Sequence, residues 1–243
     1  MGTEVKYQPR VEKIEKIWIP ETKLWIPHDS GEIAFAFPAF GPDTYKSAGQ
    51  DILSKNLKVP TGDCTPSLLY SAYCSDALNE PEFEKVRNIM RSNWLWVFNK
   101  NFWTEKGVYV IQDKNAIGRI QLLNVSDLEK ALKDGKETNG IRFSKERNLR
   151  FAPKGSYNLK DNTPESFAKD GFIIASCGKD GAEKLGEVST KFKNKPYIDG
   201  LEVQEGQEPE LRVSAVYEDG DRLRFVGSVW DDYEGSCHAF GVF

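Results

Sequence analysis

Histidine is nearly missing from this chain: His28 and His238 are the only two in 243 residues. Two imidazoles cannot make a three-histidine zinc site. Neither has a histidine partner four residues away, so an H-E-x-x-H helix is excluded as well. Long apolar runs are also missing, and none approaches the roughly 18 to 20 residues of a membrane span. Cys64, Cys74, Cys177 and Cys237 are scattered with no C-x-x-C pair. In a chain of this size they read as reduced, mostly buried thiols rather than bridges. The start, Met1 to Lys6, is polar and lacks the apolar centre of a secretory signal. The expectation is a soluble, cytoplasmic protein that does not enter a membrane.

Charge is depleted in one sense at the C-terminal end. Residues 196–243 contain no lysine and set Arg212, Arg222 and Arg224 against eleven carboxylates. Residues 121–195 are weakly basic, with fifteen cationic side chains against eleven acidic ones. A duplex-binding face needs a concentrated basic patch, so the pattern speaks against a nucleic-acid partner.

Aromatic residues are plentiful, at 12% of the chain, which argues for a packed interior rather than disorder. A chain this long buries about 70% of its unfolded surface, enough for a core without disulfides or metal. Lys16-Ile17-Trp18-Ile19-Pro20 is echoed by Lys23-Leu24-Trp25-Ile26-Pro27, which predicts a hairpin of two short strands stopped by proline. Gly31 to Pro42 reads as an edge strand. Thr65-Pro66 opens a helix to about Tyr73, with Thr65 as N-cap. Phe83, Val86, Met90, Trp94 and Val97 fall at helical steps, predicting a long helix from Pro81 to about Phe98.

Strands are predicted over Lys106–Gln112 and Ile117–Leu123, followed by a helix that Ser126-Asp127-Leu128-Glu129 caps. Thr163-Pro164-Glu165 caps another short helix. Phe172–Ser176 reads as a buried strand feeding a helix over Gly181–Phe192. Leu211–Tyr217 and Arg222–Trp230, joined through Asp219-Gly220, read as a hairpin, and Cys237–Phe243 as a last strand. Strands and helices mix without strict alternation. The expected class is α+β, with a mixed, mainly antiparallel sheet, several packed helices and a strand-rich C-terminal part. A single domain is expected over 1–243. Residues 135–140 mark a possible seam between a helix-rich first half and a strand-rich second half.

Four places could carry chemistry. Gly178-Lys179-Asp180-Gly181 sits at the start of a predicted helix, where backbone N–H groups and Lys179 would hold an anion; a plain tight turn of Gly and Asp explains the same residues. Asp219, Asp221, Asp231, Asp232 and Glu234 are oxygen donors suited to Mg²⁺ or Ca²⁺. The first two and the last three lie at opposite ends of a strand, nearly 30 Å apart at about 3.3 Å per residue, and solvated turns account for them equally. Cys237-His238 is a thiol beside an imidazole, although strand neighbours point to opposite faces. Cys64 precedes a helix N-terminus, where the dipole would lower its pKa.

The fourth place is the aromatic band of Trp94, Trp96, Phe98, Phe102 and Trp103, with Asn93, Asn99 and Asn101. Trp96 and Trp103 lie off the predicted helix stripe and, if exposed, would mark a binding or oligomer surface. No segment carries a family signature, and no cofactor is indicated. The preferred reading is a protein that binds a small molecule or a protein partner, itself included, through its tryptophan-bearing surface. The alternatives are a thiol-dependent hydrolase or transferase using Cys64 or Cys237, a metal-dependent phosphohydrolase using the C-terminal carboxylates, and a purely structural or assembly role.

Overall fold

The structure, a computed structural model, describes residues 8–14, 21–119, 123–233, 235 and 237–243. β1 (Arg10–Ile14), β2 (Glu21–His28) and β3 (Gly31–Phe37) form a three-stranded antiparallel sheet in chain order. The second tryptophan–proline copy, Lys23–Pro27, lies in β2, paired with β1 and β3. The first copy, Lys16–Pro20, and with it Trp18, lies outside the described residues.

Three helices follow: α1 (Tyr45–Ser54), α2 (Thr65–Cys74) and α3 (Pro81–Ser92). Cys64, not Thr65, is the N-cap of α2. Chain direction then changes abruptly. Asn93 is fully extended (φ −144°, ψ −179°), and Trp94–Thr104 is strand β4 rather than the last turns of a helix. Its side chains alternate faces. Leu95, Val97 and Trp103 join one core, while Trp96 and Phe98 join a second and Phe102 a third. A central strand buried on both sides has no polar face, so its pattern carries no period of two. The steps at Trp94 and Val97 matched a helix by coincidence.

β4 is the middle of a nine-stranded sheet of order β6-β7-β8-β5-β4-β10-β11-β9. Its members are β5 (Gly107–Gln112), β6 (Lys136–Thr138), β7 (Ile141–Phe143), β8 (Leu149–Pro153), β9 (Tyr197–Asp199), β10 (Glu210–Glu218) and β11 (Leu223–Val229). β12 (Cys237–His238) completes it, running parallel beside Trp94 and Leu95. The β10–β11 hairpin matches the sequence expectation, and strands dominate the C-terminal part. Residues 136–143, which take in most of the possible seam, form a hairpin of this same sheet. It turns at Asn139 and Gly140, both with positive φ, the conformations an Asn-Gly turn supplies. Residues 117–119 and 123 are not in a strand, and residues 120–122 lie outside the described set.

α4 (Val125–Leu132) is capped by Asn124, whose side chain accepts from the Ser126 N–H, so Ser126 lies inside the helix instead of capping it. α5 (Pro164–Lys169) carries the expected cap at Thr163. α6 (Gly171–Ser189) replaces the predicted strand at Phe172–Ser176. Phe172 to Cys177 are all buried, and a helix buried on every side shows no amphipathic stripe. Asp170 fixes its start by accepting from the Phe172 and Ile173 N–H groups. The fold is α+β, and no helix among the described residues is long and apolar enough to cross a membrane.

Candidate functional site

A cavity of about 1120 Å³ opens where six segments meet. His28, Asp29 and Glu32 come from the β2–β3 hairpin. Thr61, Asp63 and Cys64 come from the approach to α2. Gln112 and Lys114 lie at the end of β5, and Glu146 and Arg147 in the loop between β7 and β8. Cys177 to Gly181 contribute the middle of α6, and Val242 and Phe243 the chain end.

The approach to α2 is placed by a close backbone crossing. A side chain at Gly62 would meet the Ser176 carbonyl at 1.9 Å, and Asn99 bridges both segments. Asp63 is thereby set against Arg150 of β8. Arg150 Nη2 lies 2.5 Å from Asp63 Oδ2, and its other nitrogens reach the Ala175 and Arg147 carbonyls at 3.1 Å. The Gln112 amide also donates to Asp63 Oδ2. Only 3% of the Arg150 side chain is exposed. A guanidinium so deep needs every partner, and removing one side of such a pair costs about 3–5 kcal/mol.

α6 is broken at this point. Gly178 has φ 70° and ψ 171°, outside the helical region, and the helix restarts after it. The restarting turn, Lys179 to Gly181, lies in the cavity wall, so the positive end of that half-helix dipole borders the cavity. The Gly178–Gly181 candidate is therefore a break between two helical halves, not a strand-to-helix turn.

Charge around the mouth is uneven. Lys58, Lys114 and Arg147 are exposed and make no ion pair among the described residues, and neither does Glu146. Most other charged lining residues have partners: Asp180 pairs with Lys184 at 2.6 Å, Lys179 with Glu183 at 3.8 Å, and Glu32 with Arg10.

Two of the sequence candidates, Cys64 and the Gly178–Gly181 segment, meet in this cavity. Cys64 does not have the expected low pKa. Burial, then the neighbouring Asp63 carboxylate, push its thiol up to about 11. Cys177 is raised well above the ordinary range by burial. Cys237 is fully buried and pushed up to about 12 by burial, while the adjacent His238 lines a separate shallow cavity of about 400 Å³.

No family model, curated protein or solved structure matches the chain.

Trp96 and Trp103 are 1% and 0% exposed and present no surface. Their indole N–H groups are bonded internally, to the Asp43 and Gly227 carbonyls. Among the described residues, the tryptophan that is exposed is Trp230, at 47%, with the Arg119 and Arg212 guanidinium groups over its ring.

Asp231 is engaged by Arg119, through the backbone N–H at 2.8 Å and Nε at 2.5 Å. Burial opposes its ionisation, but these Arg119 bonds outweigh it and hold the carboxyl below the usual range. Asp232 is 3.9 Å from Arg119 and largely exposed, and Glu234 lies outside the described residues. Among the described residues no three His, Cys, Asp or Glu side chains gather as a metal site would require.

Asp63, Arg150, Lys58, Lys114 and Arg147 were not singled out by the sequence. They come from segments far apart in the chain, so no local pattern joins them.

Proposed function

We propose that this protein binds a small, negatively charged ligand in the cavity between the β2–β3 hairpin, the approach to α2 and the break in α6. The observation that carries this reading is the cavity itself. About 1120 Å³ is ample for a metabolite-sized molecule, and among the described residues three cationic side chains without ion-pair partners, Lys58, Lys114 and Arg147, line it against two such carboxylates, Asp29 and Glu146. The half-helix beginning after Gly178 adds a fixed positive potential. Arg150 and Asp63 supply a rigid polar wall, because their hydrogen bonds to each other and to Gln112, Ala175 and Arg147 leave little freedom.

A thiol-dependent reaction is less well supported. A thiolate is the nucleophile in such chemistry, and burial keeps the Cys64 and Cys237 thiols protonated at neutral pH. A surface built on Trp96 and Trp103 is set aside for the burial already described.

The test is binding of inorganic phosphate, followed by the thermal melt of the wild type and of the Lys114→Glu/Arg147→Glu variant. Both positions are exposed, so the variant should fold as the wild type does. The expected result is a phosphate-dependent rise in the wild-type melting temperature that falls by at least about tenfold in apparent affinity in the variant. Equal stabilisation of the two proteins, or none in either, would overturn the reading.

A further inference from the structure

His28 ends β2 at the cavity wall, and its ring is held by an ordered chain of hydrogen bonds. Its Nδ1 lies 3.0 Å from Ser67 Oγ, and Lys184 Nζ lies 3.0 Å from the same oxygen. A lysine ammonium can only donate. Ser67 Oγ therefore accepts from Lys184, and because this buried hydroxyl has no other acceptor among its described contacts, its hydrogen is directed at His28 Nδ1. Asp180 closes the far end of the chain, 2.6 Å from Lys184. With Nδ1 as acceptor, the neutral imidazole carries its hydrogen on Nε2.

That Nε2–H is not used up. The nearest carboxylate oxygen, Asp29 Oδ2, is 3.6 Å away, beyond hydrogen-bond range, and its side chain is 75% exposed. His28 and Asp29 both line the cavity. The Asp29 side chain is exposed, and a swing that opens the gap by about 1 Å lets one hydroxyl accept from Nε2–H and donate to Oδ2. A bare anion suits the spot poorly, because Asp29 would repel it.

We infer that His28 and Asp29 form a hydroxyl-recognising subsite of the cavity, with Ser67 and Lys184 as positioning residues that set the imidazole tautomer. The ligand class is then a hydroxylated anion, with its charge at Lys58, Lys114 and Arg147 and a hydroxyl between His28 Nε2 and Asp29 Oδ2. This rests on the binding function proposed above.

The tautomer is tested without ligand. With two histidines in the chain, ¹⁵N ring spectra at about pH 9, above the ordinary imidazole range, contain two sets of signals, and His28→Gln assigns them. Wild type should show Nδ1 unprotonated and Nε2 protonated for His28, and Ser67→Ala should shift the ring toward a mixture. A wild-type ring already mixed, or protonated on Nδ1, would overturn the positioning roles.

The subsite is tested with D-glucose 6-phosphate against inorganic phosphate. Wild type should bind the sugar phosphate at least about tenfold more tightly. His28→Phe should bring the sugar-phosphate affinity down to that of inorganic phosphate measured on the same variant, and His28→Gln, which keeps an N–H near the Nε2 position, should retain most of the preference. A preference absent from the wild type, or surviving His28→Phe, would overturn the subsite while leaving the binding function standing. Failure of both compounds to bind would instead count against the binding function, and the ¹⁵N spectra would still decide the tautomer.

Discussion

Cys64 and Arg150 share a cavity wall, and burial acts on them in opposite ways. A thiol is neutral, so burial merely keeps it protonated, whereas a guanidinium stays charged and must find partners. Asp63 serves as that partner and at the same time raises Cys64. With a value of about 11, about one Cys64 in ten thousand is a thiolate at pH 7. Its alkylation by iodoacetamide should therefore rise about tenfold per pH unit from 7 to 10, without a plateau. A fast reaction that levels off near neutrality would show an activated thiol and revive the thiol-dependent alternative. Cys64 stands out in the sequence by its place before a helix, but desolvation and Asp63 act against the helix dipole and prevail. Arg150, 87 residues from Asp63, left no local signal because an ion pair depends on the fold that closes it.

At the scale of elements, the break in α6 is the most consequential feature. φ 70° with ψ 171° is a region that glycine alone occupies readily, and other residues pay about 1–3 kcal/mol there. A side chain at Gly178 would also approach Asp63 Oδ1 to 3.3 Å. Gly178→Ala should lower the melting temperature by roughly 2–12 °C at this size and weaken ligand binding. An unchanged melting temperature would mean that the helix does not need this break.

α4 is fastened by a second device: Glu129 takes two bonds from Arg142 of β7, at 2.7 and 2.8 Å, and one from Tyr109 of β5. The Arg142 bonds, opposed by burial and aided by Tyr109, lower its carboxyl to about 2. A lowered carboxylate stabilises the fold above its ordinary value of about 4.5, and the contribution is lost as pH falls toward 2. The stability gap between wild type and Glu129→Gln, a few tenths to about 1 kcal/mol for a pair this exposed, should close between pH 5 and 2 in denaturant titrations. A gap independent of pH would refute the assignment.

Helix starts with Pro at Pro81 and Pro164 were legible from sequence, as was the β10–β11 hairpin. β4 and the first half of α6 were not, for one shared reason. Both are enclosed on all sides, so neither has the polar face from which a period is read. The local signals that would have helped were Asn93 as a break before an aromatic-rich run, and Asp170-Gly171 as a cap before an apolar one.

For the whole molecule, composition and element pattern were sufficient for the α+β class, its mainly antiparallel sheet and its strand-rich end. They could not reveal that the N-terminal hairpin, the chain end and the centre of α6 converge on one cavity. That convergence follows from long-range register. Phe35 bridges Val242, and Lys58 bridges Val242 as well, bringing β3 and the approach to α2 onto the last residues. His28, an unpromising lone histidine in sequence, gains its neighbours Ser67 and Lys184 only by this packing.

The most direct measurement is a crystal soaked with D-glucose 6-phosphate. The account predicts density in the cavity, with the phosphate beside Lys114 and Arg147 and a hydroxyl between His28 and Asp29. Density at another site, or a cavity holding only solvent at saturating ligand, would contradict it.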